Sequence, residues 1–170
     1  MQKYLSFLGY QGPNILLFLI LFTFTQQPGT SPYSYAAVIA WQMLSHLLNV
    51  MIKNTLRSPR PDSDKDPHFA HLKPTLKNYM TIHREYGMPS GHAQATLAEF
   101  TFIALYFRKP WLTTLALMQT LLTLWQRYTT RRHSAEQLVA GSALGIVVGL
   151  VFLKIYPHLI IKEQDMITVL

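Results

Sequence analysis

The chain has 170 residues, of which 49% are hydrophobic and only 14% are charged. Soluble domains carry about 25% charged residues, so this composition excludes an ordinary soluble domain and favours one domain embedded in a membrane. Many of the cations behind the net charge of +7 lie beside apolar segments, which predicts anionic lipid headgroups as partners and excludes nucleic acid.

Five apolar segments are each about long enough to cross a bilayer, which takes about 20 residues. We predict spans over residues 4–25, 35–52, 92–107, 111–125 and 137–156. Gln11, Gly12 and Pro13 interrupt the first, which we expect to be a retained span and not a signal peptide, because no small-residue cleavage site follows it. The sequence therefore predicts an all-α, integral membrane helical bundle of about five transmembrane helices, forming a single domain over residues 1–170.

Polar and small residues within the predicted spans indicate how the helices pack. Gly141, Gly145 and Gly149 form a stripe that allows a neighbouring helix to approach closely. Polar side chains inside a bilayer normally face the bundle interior, so we expect hydrogen bonds there. This expectation covers His46, Gln94, Glu99 and Gln119, with a supporting role beside the site as the alternative for His46.

A polar loop over about residues 53–91 joins the second and third spans, and basic residues stand at its start. Lys53 and Arg60, with Arg127 at the end of the fourth span, could bind phosphate oxygens, because an ammonium and planar guanidinium groups stabilise phosphate charge. The simpler interpretation of Lys53 and Arg57 is that both side chains reach the membrane surface from a helix C-terminus.

Pro89, Ser90, Gly91 and His92 precede or begin the third span. The free N–H groups of a helix N-terminus favour an anion, and Gly91 lets the main chain approach it closely. Ser90 can donate its hydroxyl, and His92 can protonate a leaving oxygen. An ordinary helix cap by Ser90 is the alternative.

His133 follows Arg127 by six residues and is the candidate nucleophile, since a neutral imidazole can attack phosphorus. Gln137 lies one helical turn later and could orient the ring through its amide oxygen. Gln137 also fits a capping box with Ser134, and Glu136 is an alternative orienting group.

Other polar clusters in the chain do not predict a metal site. The chain has no Cys, which excludes thiolate ligands. The run from Asp62 to Asp66 lacks the glycine of a calcium loop, and Lys73 replaces its last carboxylate. His68 and His71 lack a third ligand at helical spacing, so we expect a surface pair and no zinc.

The order of these motifs resembles the type 2 phosphatidic acid phosphatase superfamily, whose pattern is KxxxxxxRP, then PSGH, then SRxxxxxHxxxD. The first two elements match fully at Lys53–Pro61 and Pro89–His92. The third matches at Arg127 and His133, with Gln126 in place of Ser and Gln137 in place of Asp. The resemblance covers about residues 35–155.

The resemblance implies a metal-independent lipid phosphatase without a cofactor. By residue, His133 would be the nucleophile and His92 the acid. The remaining matched positions would bind phosphate, and they are Lys53, Arg60, Ser90, Gly91 and Arg127. The segments Lys53–Pro61, Tyr86–Gln94 and His133–Gln137 resemble the dolichyl-diphosphatase branch, which also has Gln in place of the Asp. This resemblance implies removal of one phosphate from a polyprenyl diphosphate.

Other lipid phosphates are alternative substrates, namely undecaprenyl diphosphate, phosphatidylglycerol phosphate, lipid A and phosphatidic acid. A catalytically inactive binder of anionic lipid is another alternative, favoured by the two glutamine replacements at positions 126 and 137.

The orientation of the bundle in the membrane follows less directly. Lys and Arg are more frequent on the side that carries the motifs, and because cytoplasmic loops are usually rich in these residues, their distribution would put the site on the cytoplasmic face. The resemblance implies instead a lumenal or extracytoplasmic face, in the endoplasmic reticulum or the bacterial inner membrane, and this is the expectation that we adopt.

Overall fold

The computed structural model describes residues 2–61 and 86–167, with side chains up to residue 159. The predicted calcium-like and histidine clusters of the polar loop, at Asp62–Asp66 and at His68 and His71, lie outside the described residues. The described chain contains no strand, so the all-α prediction is confirmed. Its α-helices are α1 (Gln2–Tyr10), α2 (Gly12–Thr25), α3 (Pro32–Leu56), α4 (Gly91–Phe102), α5 (Pro110–Thr129) and α6 (Ala135–Ile167).

A sharp bend divides the first predicted span into two helices. The axes of α1 and α2 differ by 62° at the single residue between them, Gln11, and Pro13 lies in the first turn of α2. The interruption expected at Gln11–Pro13 is therefore confirmed. Because of the bend, α1 packs on α5. This packing places Tyr10, at the end of α1, next to Arg127.

Two helices, α3 and α6, are by themselves long and apolar enough to cross a membrane, and the bent pair α1–α2 adds a third if it forms one span. The apolar helices fit an integral membrane protein, and the number five stays a prediction. The last helix extends beyond residue 156, where the sequence predicted its end, and contains Pro157.

The glycine stripe of α6 lets this helix pack closely against α4. A Cβ atom on Gly141 or Gly145 would collide with the main-chain oxygen of Ser90 or Gln94, and one on Gly149 would lie 2.7 Å from that of Ala98. The predicted close packing is confirmed. Both residue series increase together along the chain, so α4 and α6 run parallel and begin at the same end of the bundle.

An aromatic cluster fills the opposite end of the bundle. Phe24 and Phe102 pack there against Tyr156, and Phe152 stacks on Trp41 with 4.2 Å between ring centroids. After α4, a π-helical turn over Ile103–Phe107 leads to this cluster. The apolar core thus fixes the far ends of the helices that carry the polar residues.

Buried hydrogen bonds join α3 to α4, as predicted for Gln94 and Glu99. Gln94 Nε2 donates to the main-chain oxygen of Ser45 at 2.8 Å, and Gln42 donates to the Glu99 carboxyl group. His46 is wrong as an interior residue, because its side chain is exposed on the outer side of α3.

Candidate active site

Four helix ends meet at one end of the bundle. They are the C-termini of α3 and α5 and the N-termini of α4 and α6. The three sequence motifs lie at these four ends, because the third motif runs from the end of α5 to the start of α6. The residues that follow α3 and precede α4 also pair here, because Pro59 forms an antiparallel bridge with Tyr86 and Gly87 N–H donates to Ser58 O at 2.7 Å.

The α3 end supplies Lys53 and Arg60. Lys53 is only 1% exposed, and its ammonium donates to the main-chain oxygen of Tyr86 at 3.0 Å. Arg57 ends the helix in a left-handed conformation with φ 46°, and its side chain is exposed. This turn directs the next residues back over the bundle, so that Arg60 reaches the motif of α6.

The α5 end positions Arg127 and His133 on one tight turn. The main-chain oxygen of Arg127 accepts the N–H groups of Arg132 and His133 at 3.1 and 3.3 Å, and Arg131 has a φ of 54°. The five residues between Arg127 and His133 thus form a helix C-terminal turn that brings both side chains back to the same side. Both are buried.

The α4 end provides the expected helix N-terminus. Ser90 is its N-cap and accepts from Ala93 N–H at 3.4 Å, so the cap interpretation is confirmed. The first helical bond runs from Gln94 N–H to Ser90 O, which leaves the N–H groups of Gly91 and His92 outside the helical pattern. A Cβ at Gly91 would lie 3.1 Å from Asn49 Oδ1, so a larger residue there would require the Asn49 side chain to shift by a few tenths of an ångström.

The imidazole of His133 is held from both sides. Arg60 Nη1 lies 3.0 Å from its Nε2 and also donates to Arg132 O at 2.9 Å. On the opposite side, Gln137 Oε1 lies 3.2 Å from its Nδ1. A guanidinium can only donate, so His133 accepts at Nε2, and its proton is on Nδ1.

Gln137 cannot present its other amide atom to His133. Its Nε2 donates to Pro59 O at 2.8 Å and lies 3.4 Å from Ser58 Oγ, and a main-chain oxygen can only accept. Its Oε1 also accepts from Ser134 N–H, while Ser134 Oγ accepts from Gln137 N–H. The predicted capping box and the orienting contact therefore coexist. Glu136, the alternative orienting residue, is exposed.

Burial lowers the pKa of His133 well below its usual value, and the positive charges of Arg60, Lys53 and Arg127 lower it further. The ring is consequently neutral at neutral pH. The charges of Arg60, Lys53 and Arg127, together with His92, all act on His133, so these residues lie within electrostatic range of it, and we call the region between them the central space.

His92 faces the second guanidinium. Arg127 Nη2 lies 2.6 Å from His92 Nε2 and 2.7 Å from Nδ1. Tyr10 completes this side, since its ring centroid is 5.2 Å from that of His92 and 4.9 Å from Arg127 Cζ. An oxygen bound by Arg127 would thus lie beside the imidazole of His92.

Sequence reasoning did not identify Tyr10 or Asn49. Asn49 lies one turn before Lys53 on the same side of α3, and its Nδ2 donates to Gln94 Oε1 at 2.7 Å and lies 3.4 Å from Pro89 O. The four-residue spacing to Lys53 was a signal that could have found it. Tyr10 carried no such signal, because only the bend after α1 brings it here.

Gln126 and His46, also singled out in the sequence, do not contact the central space. Gln126 is directed towards α1, where its Nε2 lies 3.4 Å from Ser6 Oγ. His46 is exposed, two helical turns before Lys53 on α3.

The described fold is a membrane-type helical bundle with one basic, histidine-containing site at the end where four helix termini meet. Such a site defines a class of proteins that bind phosphate groups at a membrane surface. A comparison with family models matches residues 33–161 to the PAP2 superfamily. The chain belongs to this superfamily, whose members are phosphatases. Comparisons with curated proteins and with solved structures found no match.

Proposed function

We propose that this protein hydrolyses a lipid-linked phosphate through a covalent phosphohistidine at His133. The observation that carries the proposal is the fixed orientation of its imidazole. Gln137 accepts from Nδ1–H, and Gln137 itself is held by Pro59 O. The Nε2 lone pair therefore points towards Arg60 and the central space, where a phosphorus atom would be attacked.

In the first step, His133 Nε2 forms a bond to phosphorus while the bond from phosphorus to the leaving oxygen breaks. Lys53, Arg60 and Arg127 bind the charged oxygens, with the N–H groups at Gly91. His92 transfers a proton to the leaving oxygen. This proton neutralises the departing lipid oxygen, because a protonated oxygen leaves more easily than one that carries a full negative charge.

In the second step, water attacks the phosphohistidine and His92 takes one of its protons. The bond between phosphorus and His133 Nε2 breaks, inorganic phosphate leaves, and both imidazoles return to their starting states. The protein residues suffice for each proton transfer and for the charge on phosphorus. The proposal is accordingly of a metal-independent reaction.

Within this reaction class we propose a polyprenyl diphosphate of the dolichyl type as substrate, hydrolysed to the monophosphate. Its support is the resemblance of the motifs, in which Gln137 replaces the usual Asp. The apolar α3 and α6 flank the site, so a long lipid tail could enter sideways from the bilayer. The proposed location is the endoplasmic reticulum or a bacterial inner membrane, with the site on the lumenal or extracytoplasmic face.

The test is a phosphate-release panel with the full chain in detergent. It compares dolichyl diphosphate, undecaprenyl diphosphate, phosphatidylglycerol phosphate and phosphatidic acid. We expect His133→Ala to abolish release and EDTA to leave it unchanged, whereas His158→Ala should retain wild-type activity, since that histidine is exposed on α6 far from the site. Brief reaction with a labelled substrate should leave acid-labile label on the wild type and on His158→Ala, but not on His133→Ala.

Three results would contradict the proposal. Turnover by His133→Ala would exclude the nucleophile, and strict dependence on a divalent ion would exclude the metal-free reaction. Binding of every lipid phosphate without release would favour an inactive binder. Vanadate, which mimics pentavalent phosphorus, should inhibit an enzyme with this site.

A further inference from the structure

Two short segments of chain, one that leaves α3 and one that leads to α4, lie side by side near the start of α6. Pro59 forms an antiparallel bridge with Tyr86. Gly87 N–H donates to Ser58 O at 2.7 Å. The first segment contacts Gln137 through Ser58 Oγ and Pro59 O, which lie 3.4 and 2.8 Å from its Nε2. The second segment contacts it through Gly87, a residue to which the proposed chemistry gives no role.

A side chain at position 87 would overlap the amide group of Gln137. A Cβ atom on Gly87 would lie 2.2 Å from Gln137 Oε1 and 2.5 Å from both Cδ and Nε2. These are its three nearest atoms, and the distances to them are similar, so a methyl group would push on the amide group as a whole. Oε1 would have to move by at least about 1.2 Å, from 2.2 Å to the 3.4 Å of an ordinary contact.

The main chain at position 87 does not itself favour glycine. Among the described glycines only Gly29 has a positive φ, so Gly87 lies outside the left-handed region in which glycine is preferred. Gly87 is also buried, and the carbonyl oxygen before it, that of Tyr86, accepts from the Lys53 ammonium group at 3.0 Å. The main chain is thus held in place, and the amide group of Gln137 is the part that a methyl group would displace.

Displacement of this amide group would reach the nucleophile. Gln137 Oε1 accepts from His133 Nδ1 at 3.2 Å and from Ser134 N–H at 3.3 Å. Hydrogen bonds of this length are at the upper end of the usual range, so a shift of about 1 Å is enough to break them. The helix cannot move with the side chain, because Gln137 O accepts from Ser90 N–H at 3.0 Å. The amide group would therefore separate from the imidazole.

We propose that Gly87 is a positioning residue for the reaction at His133, and that it acts through Gln137. Because Gly87 has no side chain, it leaves the space that the amide group occupies, and the amide group in turn orients the imidazole. This inference rests on the proposed function. It adds that the segment leading from the polar loop to α4 takes part in directing the nucleophile towards phosphorus.

The first experiment is a double-mutant cycle with the full chain in detergent, measured as phosphate release from the best substrate of the panel. Gly87→Ala should lower kcat about 5- to 30-fold, as expected for loss of the orienting hydrogen bond, and change KM less than about twofold. In a Gln137→Ala background no amide group is left to displace, so Gly87→Ala should lower kcat less than about twofold further. Gly149→Ala is the control for crowding alone and should retain wild-type kcat, because its Cβ would meet Ala98 O in the contact between α6 and α4.

The second experiment observes the imidazole without turnover. Nitrogen NMR of the full chain with isotopically labelled histidine reports the proton-bearing Nδ1 of His133, whose signal is identified by its loss in His133→Ala. In Gly87→Ala we expect this signal to move to the position that it has in Gln137→Ala, because both variants remove the same acceptor. Gly149→Ala should leave it at the wild-type position.

An equal loss of kcat on Gly87→Ala in both backgrounds overturns the proposal, as does wild-type kcat in Gly87→Ala. A raised KM with unchanged kcat also overturns it, because the effect would then pass through Tyr86 and Lys53 to substrate binding. If Gly87→Ala alone fails to fold, the variant that also carries Gln137→Ala should fold, and its failure to do so would count against the proposal.

Failure of the proposed function is distinguishable, because the NMR experiment requires no catalysis. A protein that shows the shared Nδ1 shift but releases no phosphate retains the contact between Gly87 and Gln137 and loses the reaction.

Discussion

Gln137 is the residue whose replacement tests the site most sharply, because it contacts the proposed nucleophile and not the substrate. Gln137→Leu keeps the size of the side chain and removes its contacts at 3.2 Å to His133 Nδ1 and at 2.8 Å to Pro59 O. Losing the orienting hydrogen bond should cost about 1–2 kcal/mol in the transition state, so kcat should fall about 5- to 30-fold. KM should change little, since Gln137 lies on the side of the imidazole away from Arg60.

The assay is steady-state phosphate release, with thermal unfolding measured on the same preparations. Leaving Pro59 O without its donor should also lower the free energy of unfolding by about 1–3 kcal/mol, so rates are compared well below the unfolding temperature. Gln119→Leu is the matched control, because that glutamine donates to Leu8 O at 2.9 Å outside the site. A folded Gln137→Leu protein with wild-type kcat would refute the orienting role.

Three further predictions concern pH, packing and the aromatic side of the site. The pKa of His133 is lowered in the folded protein, so the unfolded chain binds more protons below about pH 6.5. The free energy of unfolding should therefore fall with decreasing pH there, by at most about 1.4 kcal/mol per pH unit, and the acid limb of kcat/KM should also lie below that pH. Denaturation and steady-state rates measured from about pH 4 to about pH 8 check both expectations. Gly141→Val should lower the unfolding temperature sharply, because a Cβ at this position would collide with the main chain of α4. Gly29→Asn is the control and should not lower it, because Gly29 lies in open space with a φ of 80°. Equal unfolding temperatures of the two variants would contradict the packing. Tyr10→Leu should lower kcat/KM about two- to thirtyfold, since a cation–π contact to the buried Arg127 contributes about 0.5–2 kcal/mol, and unchanged kinetics would remove Tyr10 from the site.

Local signals in the sequence were sufficient to predict the parts of the site that lie on one helix end. The four-residue step from His133 to Gln137 predicted the orienting contact, because residues one turn apart share a helix face. The glycine repeat predicted close helix packing, although it could not name α4 as the neighbour. The cap at Ser90 followed from its position before a helix.

Contacts between distant segments were not predictable in the same way. The approach of Tyr10 to His92 depends on the 62° bend and on α1 packing against α5, which are tertiary features. Lys53 was expected to bind phosphate, but its observed bond to Tyr86 O depends on how the polar loop returns. His46 was misplaced because an apolar helix gives little periodic contrast between its inner and outer sides.

The parallel arrangement of α4 and α6 has an electrostatic consequence for the resting protein. Two aligned helix dipoles place their positive ends side by side, and the ammonium of Lys53 and two guanidinium groups add like charge at the same end. The negative C-terminal ends of α3 and α5 offset these dipoles, so the repulsion that remains is among the side-chain cations, and an anion in the space between them would relieve it. The lipid phosphate would thus contribute to holding the four helix ends together. Tight binding of the anion and a well-ordered site would therefore depend on each other.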